Sequence, residues 1–516
     1  MEITRLIIIA TVIRCIIACY IDLGNDEVYY FTYAVQPDLN HFDHPPLVGL
    51  FIRLFTFNLH WVNELAMRLP GIVGAAINTW LIAQCGQLIR NRRTGIIAVT
   101  LYNTSVYASI ISGVFILPDS VQLVFWLAAV YTMLKSIDTQ LPRQRNQLLL
   151  LTGLWIGLAV MSKVHGVFLW FGLLGFLFFH RPGWFKNPFL YLSMLLTALI
   201  ISPILFWNVD NNFITWQFHS ERVTVSKQGI NFKSFLTTTI GQILYCNPVQ
   251  VAIYIPVLGA IFKGYRFVSK PFLLLLLWCS FPIILCTTAI SLFRDTLPHW
   301  SGPGFLGMML ISAACMDERM SQGVSRFYKT ALNSAIGIML FIFVAGLSIV
   351  NFYPGTLGKK TFPETGKGDA TLDIYGWDAL LPAFQKIRED DILQHRMLAS
   401  SPMLVHHWFP GSHMYYYVAY PLHMHVIGVG SLLNLHKFIW LNSLSAPVSP
   451  GMDAYYISPS NNFTDPAVEY GNAFESYEKT ATITQKRTGK IARYWYVYRL
   501  KHATRTLGSS FQETAP

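Results

Sequence analysis

Charge is what this sequence has least of. Asp, Glu, Lys and Arg make up only 13% of its 516 residues, about half the share usual in a soluble domain. With 53% hydrophobic residues and a mean hydropathy of +0.41, the shortage excludes a soluble globular chain and a disordered one. An integral membrane protein remains. Cysteine is also scarce: seven residues, at positions 15, 19, 85, 246, 279, 286 and 315, nearly all inside apolar runs and none beyond 315. That excludes a disulfide scaffold and any Cys-based metal site. No Asp-x-Asp pair stands in the loops, so the common device for holding a nucleotide diphosphate through a divalent ion is missing. There is no internal repeat and no low-complexity tract.

What is abundant is apolar length. Runs near residues 6–21, 71–89, 95–112, 120–134, 148–161, 164–179, 188–207, 248–262, 271–292, 303–315 and 331–350 read as about eleven membrane spans. The net charge of +11 comes from Arg90 to Arg93, Lys135 to Arg145, Arg181 to Lys186, Lys263 to Lys270 and Arg319 to Lys329. These connections alternate along the chain, so the positive-inside rule puts them all in the cytoplasm and leaves no need for a nucleic-acid partner. The rule also splits 148–179 into two short helices at Ser162-Lys163-Val164-His165-Gly166, because only then do Arg181 and Lys186 stay inside. The N-terminus is then cytoplasmic. The outer face receives 22–70, the Leu117-Pro118-Asp119 turn, 208–247, Arg294 to Ser301 and everything after about 351. The first apolar run resembles a signal peptide but no small-residue cleavage site follows it, so it is expected to stay as a helix.

Near residue 351 the composition changes. A linker rich in Gly, Lys, Pro and Thr (Tyr353 to Gly368) precedes enough chain for one small domain. Helical periodicity covers Trp377 to Glu389, and strand-like runs fall at Met403 to His406, Asp453 to Ile457, Ala481 to Gln485 and Ala492 to Leu500. The reading is a membrane domain over 1–350, with 22–70 as its first outer loop, followed over 351–516 by the linker and a small extracytoplasmic α/β domain. Six of the eight histidines there fall between 406 and 436: 406, 407, 413, 423, 425 and 436. His423 and His425 would share one strand face, as a zinc pair requires, but spacing fixes no third ligand. Surface histidines are the expectation, and no metal.

The chemistry-bearing residues cluster at outer helix ends. Asp26 and Glu27 follow the first span, where carboxylates are poor anchors but suit catalysis on a lipid-borne substrate. They also suit the first turn of a helix capped by Asn25, and spacing alone does not choose between the two. His44 precedes Pro45-Pro46, which hold it in an extended turn, and Asp43 is expected to fix that turn. Lys163, between two short apolar helices, requires either an anion or snorkelling to the headgroups. Arg14 lies within the first span and should face the bundle interior, for pairing or for function. Asp119 either joins the site or caps a helix behind Pro118. His299, Arg294, Arg222 and Lys227 are further cations for an anion. Tyr30 is one of several aromatics beside the acidic pair that can stack a sugar; the default for most Trp and Tyr is the interface belt.

Taken in order, Gly24-Asn25-Asp26-Glu27-Val28-Tyr29-Tyr30, Phe42-Asp43-His44-Pro45-Pro46-Leu47, Leu117-Pro118-Asp119-Ser120, Met161-Ser162-Lys163 and Leu297-Pro298-His299-Trp300-Ser301-Gly302-Pro303 resemble glycosyltransferase family 39. That family comprises the polyprenyl-phosphate-sugar-dependent transferases, with the protein O-mannosyltransferases and the related lipid A aminoarabinose transferase. The resemblance spans the membrane region to about 350 and is nearest to bacterial members. This chain has Ser301-Gly302-Pro303 where the family usually has Pro-Ala-Pro. The resemblance implies a mainly α, polytopic GT-C fold and transfer of a sugar from a polyprenyl-phosphate donor to a lipid, glycan or protein acceptor, outside a bacterial inner membrane. It implies Asp26 as base, with Glu27 beside it. Donor phosphate would meet His44, where aminoarabinose transferases carry a phosphate-contacting lysine, together with Lys163, His299 and Arg222. Asp119 matches a family aspartate. No cofactor is called for, since Lys, Arg and His can neutralise a monophosphate linkage. A lipid-linked sugar flippase and a non-catalytic membrane scaffold stay open from the residues alone, although transporters tend to keep their charges near the bilayer midplane.

Overall fold

The computed structural model describes residues 2–225 and 229–509; Lys227 lies outside them. The chain begins with helices α1 (Glu2–Tyr20), α2 (Asn25–Val35), α3 (Leu47–Phe55), α4 (Glu64–Ile89) and α5 (Arg92–Thr104). It continues with α6 (Pro118–Asp138), α7 (Pro142–Ser162), α8 (Val167–His180), α9 (Pro188–Asp210) and α10 (Ile214–Val223). Then come α11 (Phe232–Cys246), α12 (Pro248–Phe262), α13 (Lys270–Ile290), α14 (Phe305–Ser321) and α15 (Ser325–Phe352). Two compact units result: 1–17 with 38–58 and 65–343, and 18–37 with 59–64 and 344–516.

Among the described residues of both units, α1, α4, α6, α9, α13 and α15 are long and apolar enough to cross a bilayer, and α11 with α12 makes one bent pair at 96°. The apolar runs had pointed to about eleven spans. The remaining apolar helices are shorter or more polar, and α14 shows why: Leu306 to Asp317 are buried throughout. A helix packed on all sides by other helices need not present a full apolar surface to lipid. The break expected in 148–179 is present. Helix α7 ends at Ser162, a single 3₁₀ turn covers Val164–Gly166, and α8 follows.

Within the larger unit the basic connections gather. Arg90 bonds the Phe267 carbonyl at 2.8 Å and Asp317 at 2.9 Å, and pairs with Glu318 as well. Arg145 lies 5.0 Å over Trp184, and Asn187 bonds Asn146 at 2.8 Å. Connections assigned to one membrane face by charge alone therefore touch one another.

The smaller unit carries helices α16 (Leu380–Leu393) and α17 (Trp408–Met414) and a five-stranded sheet, in the order β2-β1-β3-β5-β4. Its strands are β1 (Met403–Val405), β2 (Val426–Gly428), β3 (Ala454–Pro459), β4 (Phe474–Arg487) and β5 (Lys490–Ala503). β1 is parallel to β2 and β3, whereas β3–β5 and β4–β5 are antiparallel. The long hairpin closes through Thr488 (φ 48) and Gly489 (φ 78), the two left-handed residues a two-residue primed turn demands. The linker is tied down: Arg487 donates to the Gly355 carbonyl at 2.9 Å and, just past the linker, reaches Asp369 at 3.0 Å with both side chains fully buried.

Candidate functional site

Two clusters hold most of the candidate site residues, one in each unit. In the larger unit, Asp119 is the second residue of α6, behind Leu117 as N-cap, and Ser120 Oγ accepts the Leu117 amide at 2.8 Å. Lys163 terminates α7, its carbonyl held by Gln122 Nε2 at 2.6 Å. The Lys163 ammonium donates to Asp119 Oδ2 at 2.7 Å, with the two side chains 4% and 3% exposed. Tyr107 donates to the other carboxylate oxygen at 3.2 Å. A lysine that had to snorkel or find an anion has found an internal one.

Histidines surround this pair. His44, His165, His219 and His299 each feel the charge of Lys163, and His44, His165 and His299 also feel Asp119. Burial holds His44 down at about 3, opposed by Asp43 and reinforced by Lys163 and His219. Burial likewise lowers His299 to about 4, and takes His165 well below the usual histidine range. All are therefore neutral at pH 7. His219 Nε2 donates to the Asp43 carbonyl at 2.8 Å, and its ring lies 6.2 Å from that of His44. Thus the turn at Asp43 is held through its backbone, by a histidine from α10. His165 packs on Trp300 at 5.7 Å and His299 on Tyr245 at 6.3 Å. Arg222 is exposed, one turn along α10, with its guanidinium 4.4 Å over Phe218.

Lys163, His44, His299 and Asp119 are thus brought together, with Arg222 one helical turn from His219. His219, Tyr107 and Tyr245 were not anticipated. The only signal for His219 was its place, three residues before Arg222, in a stretch assigned to the same face as His44.

In the smaller unit, α2 starts one residue earlier than expected. Gly24, not Asn25, is its N-cap, and Glu27 Oε2 accepts the Gly24 amide at 2.8 Å. Glu27 is 2% exposed. Asp26, at the second helical position, is exposed. Freed from capping, Asn25 offers its Oδ1 to His413 Nε2 at 2.9 Å. His413 is stacked on Trp377 with ring centroids 4.0 Å apart, and Arg493 covers Trp377 from 4.1 Å. The Tyr417 hydroxyl receives the Leu23 amide at 2.7 Å, and Asp22 receives that of Trp377 at 2.7 Å. Burial first, then the charge of Asp378, raises Asp22 to about 7. The loop ahead of Asp26 is therefore fixed from both sides. Tyr30 is buried in an aromatic nest, 5.5 Å from Tyr29 and 5.4 Å from Tyr33.

Two expectations for the C-terminal histidines need correction. His423 sits in a turn at φ 50, ahead of β2, so it shares no strand face with His425. And His406, His413 and His436 are buried, at 6%, 0% and 8% exposure, rather than lying on the surface. Aromatic stacking supplies the apolar partner that sequence spacing does not reveal.

Residues 43–207 match the family model described as dolichyl-phosphate-mannose-protein mannosyltransferase. Among the proteins it is similar to are a curated relative and one solved structure in two states. Lipid A galacturonosyltransferase RgtD of Rhizobium johnstonii is 22% identical over 308 residues, 59% of this chain. The chain spans only 62% of that relative's length. ArnT from Cupriavidus metallidurans in the apo state superimposes with a TM-score of 0.62 at 12% identity, covering 96% of this chain and 97% of ArnT. The same ArnT bound to undecaprenyl phosphate gives 0.64 at 14% identity, with 96% and 97% covered.

Proposed function

We propose that this protein transfers a sugar from a polyprenyl-phosphate donor to an acceptor on the extracytoplasmic side of a bacterial inner membrane, with its C-terminal domain on that side. The observation that carries the reading is the buried Lys163–Asp119 pair ringed by neutral histidines, since both members of the pair, His44 and His165 lie in the segment matching the family model. The undecaprenyl phosphate named for the ArnT complex and the lipid A named for RgtD support a polyprenyl-phosphate donor and a lipid acceptor. A lipid acceptor is therefore the one we assign, ahead of glycan or protein.

The chemistry follows from charge. The donor is a phosphodiester with one negative charge. When the bond from the anomeric carbon to the phosphate oxygen breaks, polyprenyl phosphate leaves as a monoester carrying a second charge. Lys163 and histidine N–H groups stabilise that developing charge, with Arg222 at the margin. A histidine that is neutral beforehand takes up a proton more readily once the phosphate dianion is beside it. The acceptor hydroxyl bonds to the anomeric carbon from the opposite face and gives its proton to the Asp26 carboxylate, so the configuration inverts in one displacement. Glu27 holds the turn that presents Asp26, and Tyr30 lines it. The phosphate needs no metal in this scheme.

Mass spectrometry of the outer-leaflet glycolipids tests the reading. In a deletion strain one lipid-linked sugar disappears, and the wild-type gene restores it while Asp26→Asn does not. An unchanged lipid profile overturns the proposal. Transfer by detergent-solubilised protein excludes the flippase, because in detergent there is no membrane to cross.

A further inference from the structure

Arg14 is another buried cation of the larger unit, and it is built differently from Lys163. It is 2% exposed, within membrane helix α1. Its guanidinium donates to the Asn103 side chain at 2.8 Å and, at 3.4 Å, to the Ser109 carbonyl and hydroxyl. All are neutral, its Nη1 has no partner, and among the described residues no carboxylate pairs with it. The turn at 107–113 closes on it so tightly that a Cβ on Gly113 would come within 2.9 Å of Arg14 Nε. An enclosed, uncompensated charge at this depth is costly unless an anion meets it.

The same side chain lines a groove of about 260 Å³ between α1, α5 and α15. At one end the groove carries Arg14 and Asn103; along α1 it then runs past Ala10 to Leu6, with Leu340 and Ile336 from α15. Arg14 and Leu6 are eight positions apart, roughly 12 Å along a helix. The wall is thus cationic at one end and apolar for the rest of its length, the polarity of a single-chain segment of an anionic lipid with its headgroup. We infer that this groove is a binding site for an anionic phospholipid, whose phosphate meets the Arg14 guanidinium and whose acyl chain lies along Ala10, Leu6 and Leu340. Charge complementarity selects the occupant: a zwitterionic lipid brings its own cation and leaves Arg14 uncompensated. This site uses none of the residues assigned above to donor or acceptor, so it does not rest on the proposed transfer reaction.

The test is native mass spectrometry of the full-length protein released from vesicles of phosphatidylcholine alone or of phosphatidylcholine with phosphatidylglycerol. One phosphatidylglycerol is expected to stay bound in preference to phosphatidylcholine. Arg14→Gln should lower its retention about tenfold, and Arg14→Lys should restore most of it. Ala10→Trp, which fills the groove and leaves every Arg14 hydrogen bond in place, should expel the lipid from a folded protein. Equal retention of phosphatidylglycerol by wild type, Arg14→Gln and Ala10→Trp overturns the site, as does equal retention of phosphatidylcholine and phosphatidylglycerol by the wild type.

Discussion

Helices α2 and α6 begin with the same local device and end in opposite circumstances. Each has an acid at its second position and a third-position side chain that accepts the N-cap amide: Asp26 with Glu27 on Gly24, Asp119 with Ser120 on Leu117. Asp26 is exposed, whereas Asp119 is buried against the Lys163 ammonium. Sequence reads the two starts alike, because an acid near a helix N-terminus gains from the dipole in either case. The environment separates their roles. An exposed carboxylate is within reach of an arriving hydroxyl, the role proposed for Asp26; one locked to a buried ammonium is the fixed counter-charge of its neighbourhood.

Exchanging each acid for its amide should break the symmetry. Asp26→Asn is expected to lower transfer by about 10²–10⁴-fold, the share of a general base, with the thermal unfolding midpoint unchanged. Asp119→Asn should do the reverse first: it leaves Lys163 as an unpaired buried charge, at a cost of about 3–5 kcal/mol. That loss is read by unfolding of the reconstituted protein. Combining it with Lys163→Met should recover much of the stability but not the transfer, since the two residues share one interaction.

A smaller effect distinguishes the neutral histidines around Asp119. His44 is held at about 3 and His299 at about 4 when folded, against about 6.5 when unfolded. Between those values the unfolded chain binds more protons, so stability is fully present above pH 6.5 and is lost as pH falls toward 4 and then 3. The slope is about 1.4 kcal/mol per pH unit for each histidine inside its window. His44→Gln should flatten the acid limb of a plot of unfolding midpoint against pH; an unaltered limb would mean that His44 titrates normally. The smallest change is at the other helix start, where Glu27→Ala should cost about 1 kcal/mol through the lost cap and Glu27→Gln much less.

Much of the membrane unit was legible because its signals are local. Charge in short connections sorted them into faces, and the contacts of Arg90 and Arg145 follow that sorting. The Lys163 break was legible because an overlong apolar run would have stranded Arg181 on the wrong side. The number of long apolar helices was not, since α14 lies inside the bundle, where composition no longer has to match lipid. In the C-terminal unit the strongest strand runs were legible from alternation, but β2, three residues long, was too short to carry a pattern. The roles of His219 and His413 were illegible for another reason. Each acts through a partner distant in sequence, the Asp43 carbonyl for one and the Asn25 side chain for the other, and no local pattern encodes such a pairing.

The central claim, a carboxylate at position 26 that acts on the acceptor and not on the donor, is tested most directly by measuring binding and transfer on one preparation. Asp26→Asn protein in proteoliposomes should bind undecaprenyl phosphate within about twofold of wild type while its single-turnover transfer to lipid acceptor is lost. Transfer at the wild-type rate would contradict the account, and so would the loss of undecaprenyl phosphate binding together with transfer.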